Sequence, residues 1–149
     1  MIKYIEIETD KLFTNITEDV SKFASEWGKS GLVNIFSPHT TMCIWLTEDE
    51  ILHHADVRFF LDTIAPITKS PEGQQKNTKY LHDMISLREN VPQDERINGH
   101  SHIRSMFFNS SENIPIDNGG LILGDWKNIF AIELDPTRKR KLVCTFIGE

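Results

Sequence analysis

Residues 114–147, IPIDNGGLILGDWKNIFAIELDPTRKRKLVCTFI, decide the fold. Ile114 to Ile116 and Leu121 to Leu123 flank Asp117-Asn118-Gly119-Gly120. The Asn-Gly pair supplies the positive φ angles of a tight hairpin turn. Residues 127–134 and 141–147 are apolar, rich in branched and aromatic side chains, and enclose the polar turn 135–140. They predict two further strands, read as an antiparallel meander.

The N-terminal half adds helices to this sheet. Residues 3–9 alternate, with Ile5 and Ile7 on one face and Glu6 and Glu8 on the other, as a half-buried strand requires. Asn15 with Glu18 resembles a capping box. Ile16, Val20, Phe23, Ala24 and Trp27 then recur at helical spacing before Gly28. Two short strands, 32–36 and 41–46, are separated by Ser37-Pro38-His39-Thr40. A second helix follows from Glu48, marked by Ile51, Leu52, Ala55, Phe59 and Ile64, with Glu48, Asp49 and Glu50 suited to its N-terminal dipole. Residues 67–79 read as an exposed loop, and Ile103, Met106 and Phe107 predict a short helix starting near Asn98. The class is α+β, a single domain over 1–149 dominated by antiparallel sheet with a few packed helices.

Composition narrows the function classes. The 149 residues include 39% hydrophobic and 26% charged side chains, and Lys plus Arg 16 against Asp plus Glu 22 leaves a net charge of −6. Nucleic-acid backbone is held by clustered Lys and Arg that release counterions, and the acidic balance makes it a poor first guess for a partner. No apolar stretch approaches the ~18–20 residues that cross a bilayer, and the N-terminus lacks a signal-peptide core, so a cytoplasmic protein with no membrane partner is expected. Cys43 and Cys144 each lie in an apolar run, outside any Cys-X-X-Cys spacing, and read as buried thiols. A disulfide or a metal role is the alternative. No GxGxxG or GxxxxGK[ST] joins a strand to a helix, which excludes a nucleotide cofactor held by those folds.

Histidines carry most of the chemistry. His53 and His54 point about 100° apart on a helix and read as structural. His82 stands beside Asp83, a carboxylate able to orient it, although a structural or exposed role is the simpler reading. His100-Ser101-His102 would converge on a metal or an anion if extended, whereas helix geometry spreads the two rings. His39, with Thr40 and Thr41, sits in a strand break where hydroxyl donors suit an anion. Glu48 is either a helix-start charge or a ligand or general base. Trp126 after Gly124 reads equally as a core ring or as a stacking platform. The basic run Arg138-Lys139-Arg140-Lys141 is a solvated turn or a phosphate grip.

Taken in order, Ser37-Pro38-His39-Thr40-Thr41, Glu48, Arg58-Phe59-Phe60-Leu61, Asn98-Gly99-His100-Ser101-His102-Ile103-Arg104, Ile114-Pro115-Ile116 and Leu123-Gly124-Asp125-Trp126 resemble the YjbQ-like (UPF0047) family, often labelled secondary thiamine-phosphate synthase. The resemblance spans nearly the whole chain. It implies a compact α+β fold, a homotrimer, and a pocket near the histidines. Its catalytic set falls on His39, Glu48 and His102, and its substrate-binding set on Thr40, Thr41, Arg104, Gly124, Trp126 and Arg140. His39, His100 and His102 would hold a divalent ion, Zn or Mg. The implied partner is a small, phosphorylated molecule, and the implied reaction a weak transferase step on thiamine precursors. A non-catalytic metal- or ligand-binding trimer, or a metal-dependent enzyme of another class, is the competing reading. The chain departs from the family pattern at Asp125 and Lys127, at Thr47 before Glu48, and at Asn109.

Overall fold

A computed structural model describes residues 1–67 and 80–148; all but the first residue of the expected loop 67–79 lies outside them. The chain runs β1 (Ile2–Thr9), β2 (Phe13–Asn15), α1 (Thr17–Trp27), β3 (Gly31–Phe36), β4 (Met42–Glu48) and α2 (Ile51–Ile64). Two 3-10 turns, Leu81–Asp83 and Ile85–Leu87, lead to α3 (Gly99–Ser105). β5 (Ser111–Asp117), β6 (Gly120–Leu121), β7 (Lys127–Glu133) and β8 (Arg138–Gly148) complete it. The α+β reading holds.

The strands form two antiparallel sheets, one ordered β1-β8-β3-β5-β6 and the other β2-β7-β4. The hairpin at Asn118-Gly119 is as expected, with φ of 47° and 79° and Ile116 opposite Leu121. The meander is not. β7 pairs with β2 and β4, while β8 pairs with β1 and β3, so the turn between them carries the chain from one sheet to the other. β3 and β4 part in the same way across Ser37–Thr41, into different sheets.

Burial explains why two sheets form. Val33, Ile35, Ile114, Ile116, Leu142 and Cys144 of the larger sheet meet Ile44, Ile129 and Ala131 of the smaller, with Val20 and Ala24 of α1 in the same cluster. The other face of the smaller sheet contributes Phe13, Cys43, Phe130 and Ile132, which pack with Leu61 of α2. β7 is thus covered on both faces, which is why 129–132 is continuously apolar rather than alternating.

Two local expectations are corrected. The residue before α1 is Ile16, with no side-chain cap; Asn15 Oδ1 instead accepts from the Thr17 N–H at 3.0 Å, an Asx turn that leaves Glu18 without a reciprocal role. At α2 the capping residue is Glu50, whose carboxylate accepts from the N–H groups of Leu52 and His53. Ile51, Leu52, Ala55 and Phe59, which mark this helix by spacing, face outward, while Leu61 and Ala65 are buried.

Candidate functional site

The two crossings between sheets lie side by side. Ser37 Oγ donates to the Met42 carbonyl at 2.7 Å, and the Leu134 N–H donates to the Thr41 carbonyl at 3.0 Å. Arg140 then clamps the junction: its Nε and Nη2 reach the two carboxylate oxygens of Glu133 at 2.7 and 2.6 Å, and Nη2 also donates to Thr41 Oγ1 at 2.9 Å. All three side chains are buried.

α3 is fastened onto this junction. Ser101 Oγ donates to the Leu134 carbonyl, Asn98 Nδ2 donates to Asp135 Oδ2 at 2.9 Å, and the Gly99 N–H donates to Asp83 Oδ1 at 2.7 Å. A Cβ at Gly99 would run into the Tyr80 side chain, so the glycine is required by close approach. Burial pushes the Asp135 carboxyl up, but hydrogen bonds from Asn98 and Arg138 and the charges of Arg138 and Arg96 outweigh it and hold its pKa below the ordinary value.

Between these parts lies a cleft of about 420 Å³, lined by His39, Thr40 and Thr41, by His82, Arg88 and Glu95, and by Asn98, His102, Arg138 and Arg140. The Lys141 N–H donates to Nε2 of His39 at 3.0 Å. Nε2 is therefore an acceptor, and the neutral ring carries its proton on Nδ1. Burial, then the neighbouring Arg140 charge, lowers the pKa of His39. His102 is lowered by burial and then by His82, whose ring lies edge-to-face at 4.4 Å. His82 Nε2 is 3.6 Å from Glu95 Oε1, and Arg88 Nη1 donates to that same oxygen at 2.7 Å. Asp83, expected beside His82, accepts from Gly99 instead.

Five of the residues expected at a site, His39, Thr40, Thr41, His102 and Arg140, thus share one cleft. His100 and Arg104 do not. They line a separate cleft of about 260 Å³ with Arg58 and Asp62, where Arg104 donates through Nε to the Ala65 carbonyl and through Nη2 to Asp62. Glu48, Gly124 and Trp126 line a third, of about 480 Å³, with Trp126 76% exposed rather than in the core. His53 bonds Thr47 Oγ1 and His54 stacks on Phe13, the structural roles expected of them.

Arg88, Glu95 and Asn98 were not legible as site residues. They lie on an irregular segment and at a helix start, where no periodicity marks a wall.

A metal shell is not assembled from these side chains. His39 Nε2 is occupied, His100 Nε2 lies 3.2 Å from Ser101 Oγ in the other cleft, and among the described residues no three His, Cys, Asp or Glu groups gather to hold an ion. The described residues of the chain do not fit the implied metal. No helix among the described residues is long and apolar enough to cross a membrane.

Fold and cleft together define a two-sheet antiparallel α+β protein with a histidine- and arginine-lined cleft at the sheet crossing. The chain belongs to the family described as UPF0047 protein YjbQ-like, whose model matches residues 3–149. It is 30% identical over 136 residues to a UPF0047 protein of Methanothermobacter thermautotrophicus, covering 91% of this chain and 82% of that one. It is 26% identical over 151 residues to the UPF0047 protein YugU of Bacillus subtilis, covering 99% and 100%. A crystal structure of an uncharacterized YjbQ/UPF0047 protein from Clostridium acetobutylicum superimposes with a TM-score of 0.75 at 28% identity, covering 97% and 99%. A protein of unknown function from Sulfolobus solfataricus shares the fold, with a TM-score of 0.80 at 24% identity over 100% and 97% of the two chains.

Proposed function

We propose that the protein binds a small phosphorylated molecule in the cleft of His39 and His102 and carries weak transferase chemistry of the thiamine-phosphate synthase type there. One observation carries the reading: His39, Thr40, Arg88 and Arg138, all hydrogen-bond donors, line the same cleft as His102. In such a transfer a thiazole nitrogen attacks a pyrimidine methylene carbon; the C–N bond forms, the C–O bond to diphosphate breaks, and diphosphate leaves with the electron pair. Arg88 and Arg138 meet the phosphate oxygens, and the imidazole of His102, to which no described residue hydrogen-bonds, adds a hydrogen bond to them; the thiazole nitrogen carries no proton, so the step transfers none. A divalent ion enters this reading only with the diphosphate, because the described residues gather no shell for it. Glu48 lines a different cleft and has no part in the step within one chain.

Binding without turnover is the second reading. It is favoured by the arginines themselves, since Arg88, Arg138 and Arg140 each already hold a carboxylate. His102→Asn separates the two, because it keeps polarity and size while removing the titratable ring. Loss of product formation with the fold intact by circular dichroism supports the transferase. Ligand binding without product in the parent protein supports the binding module, and full product formation by His102→Asn removes His102 from the chemistry.

Assembly as a homotrimer in the cytoplasm completes the reading. Its support is the exposure of Ile51, Leu52 and Phe59 on α2 and of Met106 and Phe107 after α3, large apolar side chains that an interface between copies would cover. The unpaired, buried state of Cys43 and Cys144 suits a reducing compartment. Light scattering tests the trimer, and a stable monomer across micromolar concentrations would remove it.

A further inference from the structure

The charges around the cleft fall into three pairings. Arg88 pairs with Glu95 at 2.7 Å, Arg140 with Glu133 at 2.6 Å, and Asp135 is shared by Arg138 at 2.8 Å and Arg96 at 3.4 Å. Counted with Arg96, which reaches Asp135 from outside the cleft lining, four guanidinium groups thus meet three carboxylates, an excess of one positive charge. Their donors are unequally committed. Arg140 is 7% exposed, with Nε and Nη2 bound to Glu133 and Nη2 also to Thr41. Arg96 gives Nη1 and Nη2 to the carbonyls of Pro136 and Thr137. Arg138 uses Nε on Asp135 and Arg88 uses Nη1 on Glu95, so each keeps N–H groups for a ligand, and each side chain is 31% exposed.

We propose that the cleft is a phosphomonoester site: it grips a single tetrahedral phosphate between Arg88 and Arg138 and does not accommodate a diphosphate. The inference rests on the cleft being an anion site and names which anion. A phosphomonoester carries about −1.5 to −2 near neutral pH. An excess of one positive charge, with the donors of His39 and Thr40, answers most of that. A second phosphoryl group adds further negative charge that meets no unpaired cation, and freeing one would mean breaking an arginine–carboxylate pair. In a transfer of the proposed kind, the cleft therefore holds the phosphate retained on the acceptor and product rather than the departing diphosphate.

Calorimetric titration with glycerol 3-phosphate and with inorganic diphosphate, in EDTA, tests this on the full chain. Glycerol 3-phosphate binds at least tenfold more tightly than diphosphate, and Arg138→Gln loses it by tenfold or more, the equivalent of about 1.4 kcal/mol. Glu95→Gln, which frees the guanidinium of Arg88, raises the affinity for diphosphate by about tenfold relative to the monoester. Diphosphate binding to the parent protein within tenfold of the monoester, or more tightly, overturns the inference while leaving the anion site standing. So does Glu95→Gln with an unchanged ratio of the two affinities. If neither anion binds, the anion-site reading falls, and this inference with it.

Discussion

The Lys141 amide and Nε2 of His39 are joined at 3.0 Å across 102 residues of sequence, a bond that sets which imidazole nitrogen bears the proton. Nitrogen-15 imidazole spectra will show His39 as the Nδ1–H tautomer. Protonation of Nε2 would place two hydrogens against each other, in the direction that burial and Arg140 already favour by lowering the pKa of His39. A histidine whose folded pKa is depressed contributes stability that is fully present above its unfolded value, about 6.5, and is lost as pH falls through the folded value. Thermal melts will therefore drop below about pH 6.5, and His39→Gln, which keeps an acceptor for Lys141 but cannot titrate, will reduce that slope, the remainder belonging to His100 and His102, whose pKa burial also lowers. An unchanged profile would release His39 from this role.

Glu133→Gln will destabilise the chain by about 3–5 kcal/mol, because it leaves the buried Arg140 guanidinium without its counter-charge. Urea unfolding followed by circular dichroism measures this. Replacing both partners by apolar residues of similar volume will cost less than the single change.

Both cysteines will resist thiol reagents in the folded protein. Burial, helped by the charge of Glu133, pushes the Cys43 thiol up to about 11, and burial with Asp19 pushes Cys144 up to about 12. Thiolate is the reactive form, so an aromatic disulfide reagent will label neither thiol until denaturant is added.

Gly31→Ala will destabilise by about 1–3 kcal/mol. Gly31 faces Gly148 across β3 and β8, at φ of 155°, and an added Cβ would come within 2.8 Å of the Gly148 Cα and 3.0 Å of the Trp27 ring. Chemical denaturation checks it, and a neutral effect would show that this corner of the sheet yields.

Local order was legible because it is written in local periodicity. The alternation of 3–9, the Asn-Gly turn and the helical spacing of Val20, Ala24 and Trp27 each need only neighbouring residues to be read. Sheet membership was not, since nothing in 127–147 says that β7 and β8 find partners in different sheets. The same limit applied to the site. His39, His102 and Arg140 could be nominated by residue type and motif, but the divergence of His100 from His102 depends on the orientation of a seven-residue helix. Arg88 and Glu95 sit where the chain follows tertiary contacts instead of a repeat.

The cleft has two walls of unequal origin. Thr41 and Arg140 belong to the crossing that holds the sheets together, so altering them endangers folding as well as binding. His82, Arg88 and Glu95 stand on a stretch that contributes no strand. Descendants of this fold can thus acquire new ligands by editing one wall while the other is inherited unchanged, and a designer seeking altered selectivity would begin between residues 81 and 97.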